Sequence, residues 1–384
     1  LDTFAITKEG ILLPDGKGTL SLSEGTGGPL TTGDRFQVLP NKSLFWYETA
    51  ASKVNITPQL LSNGQDNERR LTGGSLVGYF QFRDAGVGGY LEKLNAFSES
   101  LAWEVNRIHS QGTGLERFEE AIGTYSVMRK DAALGVEAGL AYGDKLESGN
   151  LMISVYDQNT GSLVQSQALD FDDAAGIQNF DQKTHTLQDV ADALNRTFGN
   201  LNATILDNRL QITADDGYDF AFGSDSTGLL AALGINTFFE GSDARTLAIN
   251  NNVRTNTSQI NTGHVNGAGE MNRGDNTTAK AIAALQSKAV ATRTVSEGTT
   301  WQTLGEYYST LVAKAGSDTQ TAKFNFEYQE ALAKDLKARQ ESVSGVNLDE
   351  EMTNLIKFQH AYTAAAKLIT TAESMMQVLL GLKN

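Results

Sequence analysis

Between residues 322 and 380 the chain places side chains in alternating steps of four and three. Ala322, Phe326, Gln329, Ala333, Leu336, Gln340 and Val343 follow the step, and Ser344-Gly345 interrupts it. Leu348, Met352, Leu355, Gln359, Tyr362, Ala366, Ile369, Glu373, Met376 and Leu380 resume it. This spacing keeps one helical seam turned toward a partner over its whole length, the pattern of a coiled coil. The final segment has its own start signal. Asn347 stands at the N-cap with Glu350 three residues on, and Asp349, Glu350 and Glu351 set negative charge at the positive helix end. Lys383 stands near the other end, where a cation is favoured. Burying side chains the size of Leu348 or Tyr362 is worth about 1.5–3 kcal/mol each, so a helix this long needs something to cover its stripe. The candidate assembly interface is therefore Leu348, Met352, Leu355, Gln359, Tyr362, Ala366, Ile369, Met376 and Leu380. Gln359 and Glu373 are polar interruptions of the kind that set register and partner choice. The bland alternative is a stripe that packs on the chain's own core.

The remainder is mixed. With 384 residues, two or three domains are expected. Residues 1–70 read as a β-rich outer segment, punctuated by Asp15-Gly16, Gly27-Gly28-Pro29 and Asn63-Gly64, with Arg35–Leu39 as a strand. Residues 71–144 read as the first part of a helical inner domain. Leu91, Leu94, Phe97, Leu101, Val105 and Ile108 predict a helix from about 89 to 110, stopped by Gly112 and Gly114. Residues 145–250 read as an inserted α+β outer domain. There Leu151, Ile153 and Val155 alternate, and Thr186 with Asp189 starts a helix from about 187 to 198. Ile205 and Leu210 flank an Asp207-Asn208 hairpin turn, Tyr218, Phe220 and Phe222 mark a half-buried strand, and a short helix lies near Leu229–Leu233. Residues 251–343 read as an Asn-rich linker followed by the second part of the helical inner domain, helical from Asn276 onward. Its stripes are Ile282, Leu285, Ala289 and then Trp301, Leu304, Tyr308, Leu311. Residues 344–384 are the terminal helix. The fold class is multidomain α+β: a helical inner domain with a long C-terminal coiled-coil-type helix, and β-rich outer domains. The two inner segments should pack together, because the insert divides them only in sequence.

Chemistry is hard to find. A net charge of −15 repels phosphate backbones and anionic lipid surfaces, which argues against nucleic acid and membrane partners. No apolar run approaches 18 residues. The chain has no cysteine, so disulfides and thiol chemistry are excluded together. His109, His185, His264 and His360 lie far apart without metal-ligand spacing. Asp170, Asp172, Asp173 and Asp215, Asp216, Asp219 form acidic clusters that could bind calcium, but neither matches an EF-hand loop, and turns or solvated faces explain them better. Gly73–Gly78 is neither a P-loop nor a dinucleotide fingerprint. Arg273-Gly274-Asp275 spells an adhesion tripeptide that a Gly/Asn-rich loop produces readily by chance. No catalytic, cofactor-binding or metal residue is proposed. The chain opens as if in mid-protein, so Leu1 reads as a processing or expression boundary.

Val343-Ser344-Gly345-Val346-Asn347-Leu348-Asp349-Glu350-Glu351, followed by Asn354-Leu355-Ile356-Lys357-Phe358-Gln359-His360-Ala361-Tyr362, resembles the boundary and terminal helix of the flagellar axial proteins. Within them the chain looks most like the hook-associated proteins. Gly73-Gly74-Ser75-Leu76 with Phe82-Arg83-Asp84, the helix around Val105-Asn106 and His109, and Ser226–Phe239 carry that second step. The resemblance implies a secreted, self-assembling structural subunit with no enzymatic activity and no cofactor. It implies a place in the extracellular bacterial flagellum, reached through the flagellar secretion channel. It also implies partners: further copies of the chain, hook protein, other hook-associated proteins on the filament side, and an export chaperone. The expected function is joining hook to filament. The rivals are another axial subunit such as a hook protein, and a secreted carbohydrate-binding protein. Family members carry a helical N-terminal region that normally partners the terminal helix, and this chain shows none before Leu1.

Overall fold

The computed structural model describes residues 11–12, 19–20 and 43–381, apart from 48, 50, 51, 53, 60–64, 136, 173–175, 345 and 346. The expected strand over 35–39, the Asn63-Gly64 turn, Asp173 and Lys383 lie outside the described residues. The chain divides into two compact units, Leu1–Val312 and Ala313–Asn384.

The N-terminal stretch contributes two short antiparallel pairs, β1 (Ile11–Leu12) with β2 (Thr19–Leu20) and β3 (Phe45–Trp46) with β4 (Val54–Asn55). Helix α1 (Ser75–Gln81) passes through a π-helical stretch (Phe82–Val87) into α2 (Gly88–His109), which ends where the sequence placed its stop. Gly114 has a second role there. A β-carbon at that position would sit 2.1 Å from the Ser258 carbonyl oxygen, so only glycine lets the returning chain approach this closely.

Apart from a 3-10 turn at Gly143–Lys145, the described residues of 110–144 are not helical. They form turns and one strand, β5 (Glu120–Ile122), and they send Val127, Leu134, Leu140 and Tyr142 into the main core. Helical periodicity ends at His109, and the glycines beyond it favour turns. Strand β6 (Leu151–Asp157) follows, then β7 (Leu163–Ala168), α3 (Leu187–Thr197), β8 (Leu201–Leu206), β9 (Arg209–Ala214), β10 (Tyr218–Asp225) and α4 (Leu229–Leu233). They build two antiparallel three-stranded sheets, ordered β10-β6-β7 and β5-β9-β8. Phe220, Phe222, Ile153, Leu187, Leu194 and all five residues of α4 close the core they share.

Local signals set these elements. Thr186 and Asp189 form the expected capping box, with the Thr186 Oγ accepting from the Asp189 amide at 3.1 Å and the Asp189 carboxylate accepting from the Thr186 amide at 2.8 Å. Asp207 and Asn208 both take positive φ, 51° and 60°, as a two-residue type I′ hairpin turn requires. Ile205 faces Leu210 across it. The strand read as half-buried is covered on both faces. Phe220 and Phe222 face the main core, and Ala221 joins Tyr156 and Val265 in a second cluster. Residues 265–271 lie over that face, fastened by the Tyr156 hydroxyl donating to the Gly269 carbonyl at 2.7 Å.

Beyond it come β11 (Phe239–Glu240), its antiparallel partner β12 (Ala248–Ile249), α5 (Asn251–Thr255) and α6 (Thr277–Ala284). The chain is not continuously helical from Asn276. After α6 it forms a hairpin, β13 (Val290–Thr294) with β14 (Gly298–Gln302). Val290, Thr292 and Thr294 are buried in alternation, a period of two that the helical reading overlooked. Trp301 consequently lies on a strand, 73% exposed, outside any helical stripe. The hairpin is fixed to α2. Glu92 accepts from the Val295 and Ser296 amides, Ser100 donates to the Ala291 carbonyl at 3.2 Å, and Lys288 pairs with Glu104 at 3.1 Å. Helix α7 (Leu304–Ser344) starts with a Thr303–Glu306 capping box, and Tyr307 stacks on Phe97 with ring centroids 6.2 Å apart. Helix α8 (Leu348–Gly381) is last. The class is α+β, with small antiparallel sheets beside long helices.

Candidate assembly surface

All nine candidate residues lie on α8, and no residue of that helix is buried. Asn347 caps it, through Asp349 and not through the box-like pairing with Glu350: the Asn347 Oδ1 accepts from the Asp349 amide at 3.1 Å, and the Asn347 carbonyl accepts from the Glu351 amide at 3.0 Å. Asp349, Glu350 and Glu351 occupy the first turn. With 34 residues, α8 is about 50 Å long. Steps of three and four bring residues onto one face, so the nine form a single line. Leu348 and Tyr362 are each 78% exposed, Leu355 67%, Ile369 68% and Leu380 68%.

A second line on the same helix escaped the sequence reading. Phe358, Ala361, Ala365, Leu368, Ala372, Met375 and Leu379 repeat the three-four step, displaced by one residue from the first stripe. Phe358, Leu368, Met375 and Leu379 are exposed too. Neighbouring residues differ by about 100° around a helix, so the two lines lie side by side. Testing each stripe against every phase, rather than following one, would have found it.

Residues 316–343 of α7 are exposed throughout, with Phe324, Phe326 and Leu336 among them. Ion pairs lie along this stretch, Arg339 with Asp335 at 2.9 Å and Lys334 with Glu330 at 3.6 Å, each worth a few tenths of a kcal/mol.

Several titratable groups in the first unit are buried and hydrogen-bonded. His109 is buried at the end of α2. Its Nδ1–H donates to the Asn236 carbonyl at 2.9 Å, and its Nε2 accepts the Asn261 amide at 3.0 Å. Burial holds its pKa down to about 4. The Asp225 carboxylate accepts from the Thr227, Gly228 and Leu230 amides and from the Thr227 hydroxyl, and burial pushes its carboxyl up. Tyr125 is raised to about 12 by burial, and Tyr142 is raised for the same reason; both hydroxyls donate to the Gly241 carbonyl. His185 stacks on Phe171 at 4.7 Å, and its Nδ1 accepts from the Asp181 amide. Among the described residues, no three His, Asp or Glu side chains are placed to hold a metal ion.

A groove of about 630 Å³ runs beside residues 113–120 and 271–275. Its walls are polar, and its one aromatic, Phe118, is buried, so it offers no exposed ring for a sugar to stack on. Arg117 lies over the Tyr156 ring at 3.8 Å and pairs with Asp219 at 3.4 Å. Asp275 of the Arg-Gly-Asp tripeptide is occupied. It accepts from the Thr277 hydroxyl and amide and from the His264 amide, bonds that hold its carboxyl below the usual carboxylate range. No described helix is long and apolar enough to cross a membrane.

Two family models match the chain. "Flagellar hook-associated protein FlgK helical domain" matches residues 10–123, and "Flagellar basal body rod FlgEFG protein C-terminal" matches residues 340–382. Flagellar hook-associated protein 1 of Salmonella typhimurium is 40% identical over 82 residues, 21% of this chain and 15% of that protein. The Bacillus subtilis protein of the same name is 38% identical over 71 residues, 18% and 14% respectively. That of Escherichia coli is 34% identical over 109 residues, 28% and 19%. The matched stretches thus span under a fifth of each relative. The flagellar hook junction protein FlgK from Burkholderia pseudomallei superposes with a TM-score of 0.27 at 15% identity, over 71% of this chain and 64% of that one, too low to argue from.

Proposed function

We propose that this chain, a member of the flagellar hook-associated protein 1 family, is a non-enzymatic subunit that joins hook to filament by self-assembly through α8. One observation carries the reading: a capped helix of 34 residues lays out Leu348, Met352, Leu355, Tyr362, Ile369, Met376 and Leu380 in one exposed line. A stripe of that length and regularity is suited to another helix, not to water. Gln359 and Glu373 fix which register that helix adopts. Copies of the chain, hook protein and filament-side hook-associated proteins are the partners, and an export chaperone holds the chain before secretion through the flagellar channel. In this reading residues 344–384 enter the tube. Residues 71–109 and 251–343 form the inner layer, while 1–70 and 145–250 face outward. Residues 110–144 go with the outer layer, because they share its core.

A second reading is another axial subunit, such as a hook protein. The match of residues 340–382 to a flagellar basal body rod C-terminal model favours it. Electron microscopy of cells lacking the gene, with an assay for filament protein in the medium, tests the proposal. Bare hooks with filament subunits lost to the medium are expected. Filaments still attached to hooks would remove the junction role, and a tagged protein spread along the hook would favour the second reading.

A further inference from the structure

We propose that the contact between His109 and Asn261 is an acid-released latch that frees residues 256–263 from the end of α2. The chain returning from the inserted sheets is fastened to α2 at this point. The Asn261 amide donates to the imidazole Nε2 at 3.0 Å, and the Asn261 Nδ2 donates to the His109 carbonyl at 2.7 Å. Thr113 and Gly263 exchange backbone bonds one residue-pair further on.

The two ring nitrogens are committed to opposite roles. A carbonyl can only accept, so Nδ1 must carry the hydrogen shared with Asn236; the Asn261 Nδ2 lies 3.2 Å from the same nitrogen but gives its hydrogen to the His109 carbonyl. A backbone N–H can only donate, so Nε2 must be bare to receive Asn261. Protonating the ring adds a hydrogen at Nε2 that points at the Asn261 N–H. The Asn236 bond survives and the Asn261 bond cannot. Acid therefore acts on one side of the ring only.

His264, in the same stretch, is built differently. Its Nδ1–H donates to the Gln111 carbonyl at 2.9 Å, and its Nε2 meets the Ser224 hydroxyl, which can either donate or accept. Within two turns of His109 on α2 the charged side chains are Glu104 and Arg107; Glu240 ends β11, Lys280 lies on α6, and Glu116 accepts from the Asn256 side chain of the latched segment at 2.9 Å. Arg107 pairs with Glu104, Lys280 is exposed, and the recorded bonds of the ring run to Asn236 and Asn261 alone. Phe238 packs against it with centroids 5.5 Å apart. No carboxylate in these contacts stands ready to stabilise the cation.

Burial disfavours the charged ring and holds the folded imidazole down to about 4. The latch is whole above pH 6.5 and loosens as pH falls from there toward 4. Opening of this segment should increase at least several-fold between pH 7 and pH 4.5.

Hydrogen exchange on the full chain at those two pH values, corrected for intrinsic rates, tests this. Residues 256–263 should lose protection while 236–239 keep theirs, and His109→Gln, whose amide can donate and accept without titrating, should abolish the dependence. Unchanged protection of 256–263 in the natural chain at pH 4.5 would overturn the proposal. So would an equal loss in His109→Gln, or joint opening of 236–239. If His109→Gln does not fold, an NMR titration of the natural chain decides: the His109 ring and the Asn261 amide should move with one midpoint, and separate midpoints refute the latch.

Discussion

Leu355→Asp separates an assembly stripe from a core stripe, because the two roles predict opposite results on the isolated chain. Leu355 is 67% exposed. Full burial of a leucine is worth about 1.5–3 kcal/mol, so about 1–2 kcal/mol remains to be gained when a partner covers it. Aspartate forfeits that gain and must also be dehydrated in the seam, which adds several kcal/mol. A combined loss of about 4 kcal/mol corresponds to roughly a thousandfold weaker contact. In the free chain the same substitution costs about 0.5 kcal/mol, mostly helix propensity. The assay is paired: thermal unfolding by circular dichroism for the monomer, and electron microscopy with sedimentation for the assembled form. The expected result is a nearly unchanged melting curve with assembly lost. Lys357, which lies on neither stripe, supplies the control as Lys357→Gln and should be silent in both measurements. Normal assembly of Leu355→Asp would show that the seam stays wet. A destabilisation of several kcal/mol in the monomer would show that the stripe packs on the chain itself. Either result refutes the reasoning.

Leu368→Asp asks whether the second line on α8 is also covered: a defect as large as that of Leu355→Asp is expected if α8 seats two helices, and wild-type assembly means one seam. Asn106 is 1% exposed, accepts from the Phe238 and Phe239 amides at 3.0 and 2.8 Å, and donates to the Phe239 carbonyl at 2.9 Å. Asn106→Ala should cost about 3 kcal/mol and lower Tm by roughly 6–12 °C in a calorimetric scan; a shift under a degree would mean that these bonds are replaced by water. Gly234 has φ of +73°, and an added β-carbon would lie 1.9 Å from the Thr124 hydroxyl oxygen. Gly234→Ala should therefore destabilise by at least about 2 kcal/mol in denaturant titration, whereas a neutral result would require the Thr124 turn to move aside.

The elements legible in the sequence are those whose signals are local. Asn347 and the acidic first turn of α8, the Thr186–Asp189 box, the Asp207-Asn208 turn and the end of α2 all rest on contacts within a few residues, and each forms as read. A three-four period likewise needs no knowledge of the rest of the chain, which is why the α8 stripe could be read directly. Its second line was hidden only because alanine at 361, 365 and 372 makes a weak apolar mark.

What the tertiary structure decided depends on which distant segments meet. The β13–β14 hairpin is stable where α2 offers Glu92, Ser100 and Glu104 to hold it, and no window around residues 290–302 contains those partners. Residues 110–144 join the sheets because β5 finds β9 some ninety positions later, with Ala121 opposite Ile212. The Asn-rich stretch reads as a loose linker by composition, yet Asn250, Asn256, Asn261 and Asn266 each close a turn or reach a buried partner. His109 looks like any surface imidazole until Asn236 and Asn261 arrive from more than a hundred residues away to engage both its nitrogens. Short-range capping and periodicity are written in adjacent residues; burial and the pairing of polar groups are properties of the folded surround, and the sequence alone leaves them open.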